Sequence, residues 1–171
     1  MVSQLSSLAN SSTLTDLRIN KDRLLQRLAQ LAQIGAIPGN GVCRLALTDE
    51  DKAGRDLVVS WMRELGLTIT IDQIGNVVAT RPGKKPGPPV MTGSHIDTVA
   101  TGGRYDGNLG VLAGLEIITT LNDNNIQTRH PVAVAFFTNE EGARFHPDMM
   151  GSWVFRGDFP VEEALASVGI D

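Results

Sequence analysis

Two short stretches hold the residues most able to do chemistry. In VMTGSHIDTVATGGRYD, residues 90–106, an apolar run turns polar at Gly93 and sets His95 and Asp97 two residues apart. If residues 90–94 are extended, side chains two apart share a side. A carboxylate so placed can accept the second N–H of the imidazole, fixing its tautomer and leaving the other nitrogen for a metal. Gly102 and Gly103 allow a sharp loop that brings a second carboxylate, Asp106, to the same neighbourhood. In FTNEEG, residues 137–142, another apolar run ends in two adjacent carboxylates, Glu140 and Glu141. Hydrolytic metal sites need His and carboxylate ligands, an open position for water and a base that is not itself a ligand. Adjacent carboxylates can divide that work, one binding metal and one taking the proton. Neighbours on an extended segment face opposite ways, so the two are not expected on one ion.

Each motif alone has an ordinary explanation. A His beside an Asp is commonly a satisfied pair, and two adjacent glutamates are commonly a solvated face. The combination carries the reading: both motifs follow apolar strand-like runs, with the glycine-flanked Asp106 between them.

The positioning elements follow from periodicity. Asn20 caps a helix over 20–33, with Leu24, Leu28 and Leu31 on one stripe and Gly35 beyond it. Residues 37–46 read as irregular around Pro38 and Gly39. Thr48 caps a second helix whose first turn carries Asp49, Glu50 and Asp51; Val58, Trp61 and Met62 lie on its apolar stripe, and Gly66 ends it. Trp61 on such a stripe is a core residue. Strands are expected over 67–72, 76–80 and 90–94, with 81–89 as a solvated hairpin connection. Residues 109–121 are apolar nearly all round, which predicts a largely buried helix. Residues 131–138, PVAVAFFT, suit a central strand covered on both faces. An apolar patch at 153–155 and a helix over 161–168 close the chain. Alternating strands and helices give an α/β class with a mixed sheet flanked by helices, and ligand sites in open α/β sheets lie beyond the carboxyl ends of strands.

The totals narrow the function classes. The 171 residues can hold one domain with a sizeable core, at 42% apolar and 20% charged. A net charge of −4 without basic runs speaks against nucleic-acid binding. No stretch approaches the roughly 18 apolar residues of a membrane span, and the N-terminus does not read as a signal peptide. The single cysteine, Cys43, excludes a disulfide within the chain and a cysteine-based zinc site, suits a reducing cytoplasm, and reads as a small half-buried residue.

TGSHIDTVATGGRYDGNLGVLAGLE, FTNEEGARF and MMGSWVFRG, with CRLALTDEDKAGRD and DQIGNVVAT, closely resemble the N-carbamoyl-L-amino-acid hydrolases. Allantoate amidohydrolases and β-ureidopropionases are close relatives, within the superfamily of dimetal aminoacylases and exopeptidases. The resemblance runs from about residue 17 to the end. It implies a zinc-exopeptidase-like catalytic domain over 17–171, incomplete at its C-terminus and lacking an inserted dimerisation domain, after a disordered tail at 1–16. It implies that His95 binds one metal, Asp106 bridges two and Glu141 binds the second. Asp97 would orient His95, and Glu140 would be the general base. The implied cofactors are two divalent ions, zinc or manganese, cobalt or nickel. The implied reaction is hydrolysis of a linear C–N bond in an N-carbamoyl-L-amino acid or related ureido compound, by a cytoplasmic homodimer. A cis peptide bond after Asp106 is a further expectation from the resemblance. His130 and His146 match no ligand position of the family and read as structural or solvent-exposed. Further ligands and the substrate-gripping residues of the family come later than residue 171, so this chain alone is expected to be inactive. Alternatives are allantoate amidohydrolase, a peptidase or aminoacylase of the same superfamily, or an inactive truncated remnant.

Overall fold

The computed structural model describes residues 16–170; the tail expected at 1–16 lies almost wholly outside them. The elements are α1 (Lys21–Leu31), β1 (Ala36–Ile37), β2 (Gly41–Val42), α2 (Asp49–Glu64), β3 (Thr68–Ile71), β4 (Val77–Arg81), β5 (Val90–His95), α3 (Asn108–Asp123), β6 (Val132–Phe137), α4 (Met150–Arg156) and α5 (Val161–Leu165). The expected caps are in place. The Asn20 side chain accepts from the Arg23 N–H at 3.0 Å, and Thr48 Oγ1 accepts from the Asp51 N–H at 3.2 Å. Gly66, at φ 72°, follows the last turn of α2, where the Leu67 N–H returns to the Met62 carbonyl.

The main sheet has the order β3-β4-β6-β5, with β5 parallel to β6 and the other pairs antiparallel. It is the mixed sheet expected. The connection over 81–89 is not a hairpin, however, because β6 lies between β4 and β5. Hydrophobicity accounts for the difference. In β6, Ala133, Val134, Ala135 and Phe136 are all fully buried, so this strand takes an interior place with neighbours on both edges. The much more exposed β5 is left at the rim.

Side chains alternate across the sheet. Phe136 joins Leu28, Leu31, Val58, Met62, Leu112, Leu115 and Ile118 in the main core, so α1, α2 and α3 share one face. Phe137 turns the other way and meets Phe155 of α4 at 5.4 Å between ring centroids. Residues 153–155, read from sequence only as a patch, thus belong to a helix. Its short length and the left-handed Met149 at its start give the sequence no capping signal. Residues 36–42 form a small hairpin where no regular structure was expected. Trp61 is in the core, and Cys43 is half-buried and free.

Candidate metal centre

The site grows from two strand ends. His95 is the last residue of β5 and stands level with Phe137, the last of β6. Parallel pairing therefore delivers the segment 95–97 and the segment 138–141 to one end of the sheet. The chain after β6 is tied down firmly. Asn139 takes a left-handed conformation (φ 52°), and its side-chain amide donates to the carbonyls of Phe145 (2.8 Å) and Pro147 (3.1 Å). The N–H groups of Met149, Met150 and Gly151 return to the carbonyls of Glu140, Asn139 and Thr138. Behind this loop, Asn76 Oδ1 accepts from the Thr138 N–H at 2.9 Å. Arg55, paired with the buried Asp51, donates to Thr138 Oγ1 and to the Gly75 carbonyl.

His95 is buried, and its Nδ1 lies 3.0 Å from the main-chain carbonyl of Asp97. A carbonyl only accepts, so Nδ1 carries a proton and Nε2 is the nitrogen that faces outward. The Asp97 carboxylate stands 3.9 Å from Nδ1 and has other work. Its two oxygens accept from the N–H groups of Glu140 (3.3 Å) and Glu141 (3.2 Å). A buried carboxylate needs donors, and these two backbone groups supply them. Asp97 thereby braces one strand end against the other, holding the imidazole with its carbonyl and the glutamate pair with its carboxylate.

His95 Nε2 faces two carboxylates, Glu140 Oε2 at 3.3 Å and the exposed Asp106 Oδ1 at 3.9 Å. Asp106 reaches this position because Gly107, at φ 63°, lies flat on the imidazole; a Cβ there would fall 2.5 Å from ring atoms. The peptide bond between Asp106 and Gly107 is trans, in contrast to the cis form expected. The positive φ of Gly107 makes the turn instead.

Carboxylates crowd this end of the sheet. Burial raises the Asp97 carboxyl above the usual aspartate range, against the opposing pull of His95 and the two N–H bonds. Burial likewise raises Glu141, and the neighbouring Asp106, Glu140 and Asp97 carboxylates add to that rise while His95 opposes it. Carboxylates at this density beside an imidazole are donor types suited to a borderline divalent cation. Donors on one tetrahedral ion at about 2.0–2.2 Å stand roughly 3.3–3.6 Å apart; the Glu140 spacing of 3.3 Å falls in that range and the Asp106 spacing of 3.9 Å lies beyond it. Among the described residues no group of three or more His, Cys, Asp or Glu side chains is arranged to hold a metal ion. The donor types, an imidazole and carboxylates, are those a divalent ion takes.

All five residues singled out in the sequence, His95, Asp97, Asp106, Glu140 and Glu141, therefore meet at one end of the sheet. His130 and His146 do not join them and are exposed, His130 at the opposite, amino end of β6. Sequence reasoning missed Asn139, Asn76, Asp51 and Arg55. An asparagine directly after a buried strand, ahead of paired carboxylates, was the available signal for Asn139.

A model of peptidase family M28 matches residues 76–156, which include both strand ends. The chain is 49% identical over 150 residues to an N-carbamoyl-L-amino-acid amidohydrolase of Rhizobium meliloti, covering 87% of this chain and 36% of that protein. It is 46% identical over 167 residues to the N-carbamoyl-L-amino acid amidohydrolase of Geobacillus stearothermophilus, covering 90% and 41%. Among solved structures, a hydantoinase/carbamoylase family amidase from Burkholderia ambifaria superposes with a TM-score of 0.89 at 51% identity, covering 90% of this chain and 38% of that one. The chain thus spans about two fifths or less of the length of these relatives. In sequence and in fold alike, it matches the N-terminal part of the N-carbamoyl-L-amino-acid hydrolase family.

Proposed function

We propose that this chain supplies ligands and the general base of a metal-dependent amidohydrolase. Its substrates are N-carbamoyl-L-amino acids or related ureido compounds, and it cleaves their linear C–N bond. One observation carries the reading: at the joined strand ends His95 Nε2 stands 3.3 Å from Glu140 Oε2 and 3.9 Å from Asp106 Oδ1, with Glu141 on the same short segment as Glu140. His95, Asp106 and Glu141 are the ligands in this reading, and the ions are zinc or manganese, cobalt or nickel. Further ligands, and the group that grips the substrate carboxylate, lie outside these residues.

When bound, divalent ions would supply Lewis acidity toward the carbamoyl carbonyl and lower the pKa of an attacking water. The remaining steps belong to the chain. Asp97 fixes the His95 tautomer through its carbonyl and sets the Glu140–Glu141 backbone through its carboxylate. Glu140, about one-third exposed at the edge of the cluster, takes a proton from water at its carboxylate and returns it to the departing nitrogen. For an N-carbamoyl amino acid the products are carbon dioxide, ammonia and the free amino acid. The enzyme acts as a cytoplasmic homodimer in this reading. Among the described residues no helix is long and apolar enough to cross a membrane.

The test is ammonia release from N-carbamoyl-L-amino acids by the enzyme that carries this chain, supplied with zinc or manganese. Turnover is expected to require metal and to fall by about 10²–10⁴-fold in the Glu140→Gln variant. Metal-loaded protein that releases no ammonia from any carbamoyl or ureido compound would overturn the assignment.

A further inference from the structure

Arg44 is fully buried. Among the described residues its guanidinium bonds to no carboxylate. Nε donates to the Ile96 carbonyl at 2.7 Å, and Nη1 to the carbonyls of Leu31 (3.2 Å) and Ile34 (2.9 Å) at the end of α1. Nη2 donates to Asn108 Oδ1 at 2.9 Å. The same residue is bound through its backbone: the Arg44 N–H donates to Thr98 Oγ1, and the Thr98 N–H returns to the Arg44 carbonyl. Two of these partners flank the metal centre. Ile96 is the residue between His95 and Asp97. Asn108 follows Gly107, whose Cα lies against the His95 ring, and stands two residues past Asp106.

The surroundings are shaped to admit this side chain. Gly54, inside α2, leaves the space through which Arg44 passes; a Cβ there would come within 2.7 Å of Arg44 Cδ. A glycine in a helix interior is unfavourable in itself, so the position is shaped by what it accommodates. Burial weakens the hold of Arg44 on its proton, and Asp51 and Asp97 offset this through space. The positive charge thus lies beneath an acidic cluster.

We propose that Arg44 is a positioning residue for the metal centre, fixing the 95–97 segment through the Ile96 carbonyl and the Asp106–Asn108 turn through Asn108. The role as stated rests on the metallohydrolase reading, but its geometric content does not. Only a planar fork with five donors reaches α1, the end of β5 and the start of α3 together; a lysine ammonium is a point donor and cannot span them.

The experiment reads the imidazole N–H resonances of the three histidines by NMR, assigned with single His→Gln variants. Spectra are taken first without metal and then during a zinc titration. In the wild type, the Nδ1–H of His95 should be a protected, slowly exchanging signal. Arg44→Lys keeps the charge and loses the fork, so it should shift or broaden that signal and weaken zinc binding by about 10–100-fold. Arg23→Ala, which breaks an ion pair elsewhere on α3, should leave the His95 signal in place. A folded Arg44→Lys protein with wild-type His95 signals and zinc response overturns the proposal. Should Arg44→Lys not fold, Asn108→Ala decides: a displaced His95 signal supports positioning, and an unchanged one overturns it. If wild-type His95 ignores zinc while Arg44→Lys still displaces its signal, the metal reading falls and the positioning role stands.

Discussion

At the scale of single residues, the proposed function assigns different roles to two neighbouring glutamates. Both backbone N–H groups are held by Asp97, so replacing either side chain leaves the segment anchored. Glu140→Gln keeps shape and metal content but cannot take the proton of water. General-base catalysis is worth about 10²–10⁴-fold, and kcat should fall by that much with metal retained. Glu141→Gln should instead empty a metal site. Metal analysis beside steady-state kinetics checks both; the opposite pattern would exchange the two roles. Gly107 gives a second test. Alanine there would force a Cβ into the His95 ring at a φ of 63°, where side chains are strained. Gly107→Ala should cost about 1–3 kcal/mol in urea unfolding and displace the imidazole, weakening zinc binding.

At the scale of elements, α1 and α3 are joined by a partly buried ion pair. Arg23 donates from Nε to Glu116 Oε2 at 2.7 Å and from Nη1 to Asp123 Oδ2 at 2.7 Å, and the Glu116 side chain has no exposure. Burial alone would raise the Glu116 carboxyl, but Arg23, the Asn20 N–H and the Thr120 hydroxyl together hold it below the usual glutamate range. The sign follows from the folded form being the stronger acid. The stabilisation is present at neutral pH, above the unfolded pKa, and is lost as pH falls through the depressed folded value. Urea midpoints measured from neutral pH into the acid range should show that decline, and Glu116→Gln should flatten it. Arg23→Ala leaves the buried carboxylate without its cation, held only by the Asn20 N–H and the Thr120 hydroxyl. It should cost roughly 3 kcal/mol at neutral pH, the low end for such pairs because Arg23 is itself about a quarter exposed.

For the molecule as a whole, the open side of the sheet is the exposed surface of consequence. Among the described residues no strand pairs with the outer edge of β5, where Val90 is 68% exposed and Met91 39%. Leu109 and Ile117 of α3, which packs on that strand, are also exposed. An unpaired edge with apolar side chains favours association. Light scattering of this chain should show a mass that rises with concentration, and Val90→Lys should reduce it. A strictly monomeric species at high concentration in the unsubstituted chain would contradict this.

What the sequence determines is mostly local. The caps at Asn20 and Thr48, the Gly66 stop, the buried α3 and the apolar β6 follow from side-chain size, periodicity and hydrogen-bonding capacity over a few residues. So does the arrival of His95 and of Glu140–Glu141 at strand ends, because apolar runs turn polar there. The tertiary structure decides what spacing along the chain does not encode. It places β6 between β4 and β5, since the most completely apolar strand takes neighbours on both edges. It turns the Asp97 carboxylate toward N–H groups 43 and 44 residues away. It runs Arg44 beneath the site to meet Ile96 and Asn108, 52 and 64 residues on. A buried charge must find its partners in space, and those partners are known only once the strands have been ordered.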